Sequence, residues 1–228
     1  MPADPLRVPV TASLDARPAE LWRIAVRVGN LPELRLESNA TRLAIMGPSG
    51  AGKTTLLRML AGVERRARGV VVHAGERWLD SEARLLVPAW ERRVGWSPQD
   101  ALLLPHLDVR ANLLAAAGAH ADELDEVAAG LEIAPLLGRR PRHLSGGERH
   151  RVALGRALLA DAKVLLLDEP FSALDRALRA RVLAFLLRHL QARPRALFLV
   201  SHDLQDASSL AEEIWELEPS GLCRLESS

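Results

Sequence analysis

Gly47-Pro48-Ser49-Gly50-Ala51-Gly52-Lys53-Thr54 follows the spacing G-x-x-x-x-G-K-[ST]. Glycines at these places let backbone N–H groups turn inward around an anion, because no Cβ blocks the approach. Good helix formers follow from Thr55 to Ala61, and a helix starting there adds the partial positive charge of its N-terminus. Lys53 can then reach the β- and γ-phosphates of a nucleotide, and the Thr54 hydroxyl can ligate Mg²⁺. The chemistry implied is nucleotide phosphate binding.

Two carboxylates, Asp168 and Glu169, close the apolar run Lys163-Val164-Leu165-Leu166-Leu167. Such a run suits a strand buried on both faces of a parallel sheet, and ligands in open α/β sheets sit beyond the carboxyl ends of strands. There Asp168 would serve Mg²⁺, directly or through water, and Glu169 would act as general base toward an attacking water. A solvated acidic turn is the plainer alternative. His202 occupies the same kind of place after the run Ala196 to Val200, where a lone histidine is otherwise structural. A third group is Leu144-Ser145-Gly146-Gly147-Glu148. Ser145 with Glu148 three residues later has the form of a capping box, and a cap alone does not need Gly146 and Gly147. Paired glycines open the backbone for an anion at a helix N-terminus, so one chain carries two phosphate-binding helix ends.

The elements that must position these groups alternate. Leu6 to Leu14 and Leu21 to Val28 read as strands joined by a turn at Asp15 to Pro18. Leu43 to Met46, Val70 to His73 and Val94 to Ser97 read as further strands. Trp22, in the second strand, is either core or a flat surface for an adenine ring. From Asp100 to Ala162 the spacing becomes helical, with helices expected at Leu107–Ala117, Ala121–Leu131 and Glu148–Leu159. Ala101 to Leu107 reads as the buried edge of that region or as an apolar docking surface. Ala180 to Gln191 is an amphipathic helix. Ile214 to Leu217 and Leu222 to Leu225 form a hairpin about Pro219-Ser220-Gly221.

A chain of 228 residues buries a good core as a single domain. Lys and Arg number 30 against 29 Asp and Glu, which gives no electrostatic case for nucleic acid. Cys223 is the one cysteine, so no intrachain disulfide forms and a reducing compartment fits. No signal peptide follows Met1-Pro2-Ala3-Asp4-Pro5, and no apolar run reaches bilayer length, so any link to a membrane runs through a partner.

Taken together, these motifs resemble the ATP-binding cassette (ABC) ATPases over nearly the whole chain. Gln99 matches the family glutamine that joins core to helical subdomain and ligates Mg²⁺. Leu144 to Glu148 matches the signature LSGGQ, with Glu in the last place. Leu165 to Asp168 matches the Walker B strand, with Glu169 as catalytic carboxylate. Ser172-Ala173-Leu174-Asp175 matches the D-loop and His202 the switch histidine. The resemblance implies an α/β fold: a P-loop nucleotide hydrolase core (1–99 and 163–228) with an N-terminal antiparallel β region and an inserted α-helical subdomain (about 100–162), forming one ABC ATPase domain over 1–228. It also implies ATP and Mg²⁺ as cofactors. ATP would be held by Gly47 to Thr55, Gln99, Ser145 to Glu148 and Asp175, and metal by Thr54, Gln99 and Asp168. Two copies would pack head to tail around ATP, which accounts for two phosphate sites in one chain. Integral-membrane permease subunits and a solute-binding protein are the implied partners, and the cytoplasmic face of the cell membrane the implied location.

Arg92 to Asp100 and Pro105 to Leu113 look most like ATPase subunits of importers for molybdate and related oxyanions. Those usually carry a C-terminal regulatory domain, whereas this chain stops at Ser228. It also contains no Tyr for the usual adenine-stacking position. A different solute, or a soluble ABC ATPase outside transport, is the alternative reading.

Overall fold

The structure, a computed structural model, describes residues 21–29, 31–116 and 120–225. The expected strand Leu6 to Leu14 and its turn lie outside the described residues.

Two sheets share one apolar layer. The first is antiparallel and contains β1 (Trp22–Val28), β2 (Leu34–Ser38), β4 (Ala67–His73), β5 (Glu76–Asp80) and the two-residue β6 (Leu85–Leu86), in the order β2-β1-β4-β5-β6. Alternation drives it: in β1 and β2 every second side chain is buried, as a sheet with one covered face requires.

The second sheet contains β3 (Arg42–Met46), β7 (Val94–Ser97), β8 (Val164–Asp168), β9 (Ala196–Val200), β10 (Glu213–Glu218) and β11 (Gly221–Leu225). Its order is β11-β10-β3-β9-β8-β7, parallel except for the final hairpin. Every residue of β8 and β9 is buried. One face of these strands (Ile45, Leu166, Phe198) meets the antiparallel sheet and α1 (Lys53–Leu60). The other (Ala44, Leu165, Leu199) meets α4 (Gly146–Leu159) and α5 (Arg176–Ala192). Two covered faces explain the unbroken apolar runs.

Between β7 and β8 the chain is helical, with α2 (Val109–Leu114), α3 (Leu124–Gly130) and α4. The helix expected at Leu107–Ala117 is shorter, because Asp108 caps its start by accepting from Ala111 N. The segment expected as helix at Ala121–Leu131 opens with a single 3₁₀ turn. Helix α4 begins earlier than expected, at Gly146, where Ser145 caps it. A further helix, α6 (Leu204–Leu210), follows β9. Of the apolar stretch Ala101 to Leu107, Ala101 is buried while Leu102 and Leu104 are exposed, so neither expected reading describes all of it.

Trp22 belongs to the core, and its reading as an adenine surface is overturned. The side chain is fully buried. Its ring stacks on His73 at 4.0 Å and stands edge-on to Phe198 at 4.6 Å. No face is left for a base. Trp22→Ala should therefore lower unfolding free energy by about 3–5 kcal/mol, the usual cost of emptying such a site. Denaturant unfolding measures this. Nucleotide affinity of the folded fraction should stay within two-fold of the parent, roughly 0.4 kcal/mol at most.

Candidate functional site

Strand order builds the site. β3, β9 and β8 are neighbours and parallel, with Ile45 opposite Val200 and Val200 opposite Asp168. Three carboxyl ends therefore stop along one row. The glycine loop leaves β3, His202 follows β9, and Glu169 follows β8. Backbone bonds join the ends beyond the strands: Ser201 N–H donates to Ile45 O at 3.3 Å and Glu169 N–H donates to Val200 O at 3.0 Å.

A cleft of about 280 Å³ lies over this row. Ser49, Gly50, Gly52, Lys53, Thr54 and Thr55 line it from the loop, and Gln99, Asp168 and Glu169 line it opposite. Gly47 has φ 136°, and a Cβ there would lie 2.5 Å from Leu217 O, so glycine is required where the loop leaves the sheet. Lys53 Nζ donates to Gly47 O at 2.8 Å and Pro48 O at 2.9 Å, which folds the loop around its own cation. Ala51 N–H closes a turn onto Pro48 O. Leu31 lies against Gly52, an apolar wall that the sequence did not announce.

Asp168 is 2% exposed, and among the described residues neither carboxylate oxygen has a partner with full hydrogen-bond geometry. Burial pushes its carboxyl above the ordinary range, and the Glu169 and Asp100 charges add to this. The nearby Thr54 hydroxyl and Lys53 cation act the other way. The two buried Asp168 oxygens, with the Thr54 hydroxyl nearby and Gln99 lining the same cleft, are hard oxygen donors of the kind that suits Mg²⁺.

Glu169 has φ 51°, a left-handed backbone uncommon for a side-chain-bearing residue. The turn behind it is held by Ser172, whose N–H and hydroxyl both donate to Glu169 O. The Glu169 Oε2 lies 2.7 Å from His202 Nδ1. A carboxylate oxygen accepts here, so Nδ1 carries the hydrogen and Nε2 is left for another partner. The His202 side chain is 66% exposed and that of Glu169 13%.

Ser145, Gly146, Gly147, Glu148 and Asp175 do not line this cleft. They form a second cluster. The full capping box is present: Ser145 Oγ accepts from Glu148 N–H, and Glu148 Oε2 accepts from Ser145 N–H at 2.6 Å. That backbone bond holds the Glu148 carboxyl below its ordinary range. Asp175 caps α5 by accepting from Leu178 N–H at 2.9 Å. Gly147 packs against the turn before it: a Cβ would lie 2.8 Å from Ala173 O. Nothing crowds the Cβ position of Gly146, so the backbone of that helix end is open to an outside group. The two helix ends expected to bind phosphate are both formed, and one chain does not bring them together.

Sequence reasoning missed Arg92. Its side chain is buried and donates to Met59 O at 2.7 Å and Leu60 O at 2.9 Å at the end of α1, and also to Val87 O and Trp78 O. Burial pushes the guanidinium down to about 10. This cation fixes the far end of the helix whose near end is the phosphate loop.

The family described as ABC transporter matches residues 33–172, a span that includes the glycine loop, Gln99, Ser145 to Glu148, Asp168 and Glu169. The chain is 41% identical over 197 residues to the molybdenum import ATP-binding protein ModC of Mesorhizobium japonicum, covering 84% of this chain and 53% of that protein. It is 47% identical over 177 residues to the protein of the same description from Rhodopseudomonas palustris, covering 75% and 46%. The chain thus spans about half the length of these curated relatives. Among solved structures, it resembles the dimeric structure of MJ0796, a bacterial ABC transporter cassette, with TM-score 0.75 at 23% identity over 91% of this chain and 99% of that one. At that identity the likeness is one of fold.

Asp168→Asn should stabilise the nucleotide-free chain. The folded carboxyl binds its proton more tightly than the unfolded one, so the parent loses stability as pH rises from the ordinary aspartate value, about 3.9, through the raised one. Asparagine does not titrate. Thermal unfolding across pH should show the variant melting higher at pH 8, with the gain shrinking on acidification and gone below about pH 4. An equal gain at every pH would place its origin outside the carboxylate charge.

Proposed function

The chain belongs to the ABC transporter family, and from that premise we propose that it is an ATP-hydrolysing subunit that drives solute transport by separate membrane subunits. The observation that carries the reading is the Glu169–His202 pair at the rim of a cleft lined by the glycine loop and by the buried Asp168. A binding module without turnover needs neither a positioned base nor an exposed histidine behind it.

In this reading the loop Gly47 to Thr55 holds the β- and γ-phosphates of ATP, with Lys53 as the cation. Thr54, Gln99 and Asp168 hold Mg²⁺, which when bound neutralises phosphate charge. Glu169 orients a water and takes its proton as the water oxygen attacks the terminal phosphorus. The bond from that phosphorus to the bridging oxygen breaks, and ADP and inorganic phosphate leave. The Nδ1 hydrogen of His202 keeps Glu169 in place, and its Nε2 faces the transferred phosphoryl group. Leu31 offers an apolar wall beside the loop. The cluster Ser145 to Glu148 and Asp175 completes the site of a second copy, head to tail, with the Ser145 hydroxyl and the open Gly146 backbone toward the γ-phosphate. We place the helical subdomain at about 100–162 within a single domain.

Among the described residues no helix is long and apolar enough to cross a membrane. The family supports a location at the cytoplasmic face of the membrane, through permease subunits, with a solute-binding protein as a further partner. The two ModC relatives named above support molybdate or a related oxyanion as the imported solute.

Glu169→Gln tests the mechanism. Glutamine keeps the shape and loses the base, so nucleotide binding should survive while steady-state hydrolysis falls about 10²–10⁴-fold, or roughly 3–5 kcal/mol of barrier. Sizing chromatography in ATP and Mg²⁺ should show a persistent dimer. Near-normal hydrolysis would remove Glu169 from the catalytic role.

A further inference from the structure

His202 projects from a short connection whose two neighbours are both fixed. Ser201 is buried, and its Oγ accepts from Asp203 N–H at 3.1 Å. Asp203 Oδ1 caps α6, accepting from Gln205 N–H at 2.8 Å and Asp206 N–H at 3.3 Å. The other Asp203 oxygen pairs with Arg179. Arg179 also grips Asp206 with two nitrogens, Nε to Oδ1 at 2.8 Å and Nη2 to Oδ2 at 2.7 Å. The Asp206 side chain is 4% exposed, so this fork neutralises a carboxylate with little access to water.

Arg179 stands on α5, one turn beyond Asp175, and its N–H donates to Asp175 O at 2.9 Å. The turn ahead of Asp175 packs on Gly147. A rigid path thus runs from the Ser145–Glu148 helix end, through the start of α5, to the residue after His202.

We propose that Arg179 is a positioning residue: by binding Asp203 and Asp206 together it sets the direction from which His202 meets Glu169, and it ties that direction to the face carrying Ser145 and Asp175. The proposal rests on the reading of His202 given above. Exposure of the imidazole makes this support necessary, because the 2.7 Å contact with Glu169 is its one hydrogen bond to the described residues.

A double-mutant cycle tests it by single-turnover hydrolysis, followed long enough to read slow variants, with ATP affinity and thermal unfolding measured alongside. Arg179→Met should lower the rate by about 10- to 100-fold, the order expected when a reacting group is displaced by about 1 Å, while ATP affinity stays within about two-fold. In a His202→Ala background the same substitution should change the rate by less than about two-fold, because the two residues act as one unit. Arg179→Met strands the Asp206 charge. If that variant fails to fold, Asp203→Asn takes its place, since asparagine keeps the helix cap and Asp206 keeps its arginine. A full rate loss from the Arg179 or Asp203 change in the His202→Ala background would overturn the proposal alone. An unimpaired His202→Ala rate would overturn the His202 reading and the proposal with it.

Discussion

The site depends on one constraint: a carboxylate held dry at the end of a strand that is buried on both faces. Asp168 closes β8, and among the described residues neither of its oxygens has a partner with full hydrogen-bond geometry. A lone strand end would turn such a group to water. Here it cannot, because β8 is paired in register with β9 and β7 on its two sides. The apolar pairing around Leu165 to Leu167 offsets the cost of that one position. A group kept in an unfavourable state by the rest of the fold is poised to gain from a ligand that relieves it.

The remaining geometry follows from the same pairing. Because β9 lies between β3 and β8, the residue after β9 falls between the glycine loop and Glu169. The left-handed backbone of Glu169 turns its side chain away from the course of β8 and toward His202. Buried or half-buried cations brace the elements around the cleft from outside. Arg92 holds the end of α1, and Arg179 holds the start of α6. Neither lines the cleft: Arg92 fixes the far end of the helix whose first residues do, and Arg179 fixes the residues that follow His202.

Much of this was legible in sequence, for identifiable reasons. The runs Val164–Leu167 and Ala196–Val200 are continuous because both faces of those strands are covered, so their ends, and the residues just past them, could be placed. The phosphate loop and the Ser145–Glu148 cap are local patterns, and local patterns survive folding. What was missed depends on distant partners. Strand β2 alternates clearly, but its place is fixed by pairing with β1 across the first sheet. Helix α6 reads Leu-Gln-Asp-Ala-Ser-Ser-Leu, and its buried Asp206 is acceptable only because Arg179, 27 residues earlier, reaches it. Trp22 could not be assigned between core and ligand without seeing His73 and Phe198 against its ring. The helix end at Ser145 has the sequence of a phosphate site, and within one chain it stands apart from the cleft. That separation is itself informative, since a composite site between copies demands it.

A site shared between two copies can be assembled from two inactive variants. Lys53→Ala should remove phosphate binding and keep the Ser145 helix end intact. Ser145→Arg should do the reverse, placing a bulky cation where the facing γ-phosphate must fit. Each alone should hydrolyse ATP at background rates. In an equimolar mixture, the mixed pair has one site formed by an intact Lys53 loop from one copy and an intact Ser145 helix end from the other, so hydrolysis should reappear. Its dependence on total protein concentration should follow dimer formation. Failure to recover any hydrolysis, with both variants folded and the parent active in the same assay, would contradict a site shared between copies.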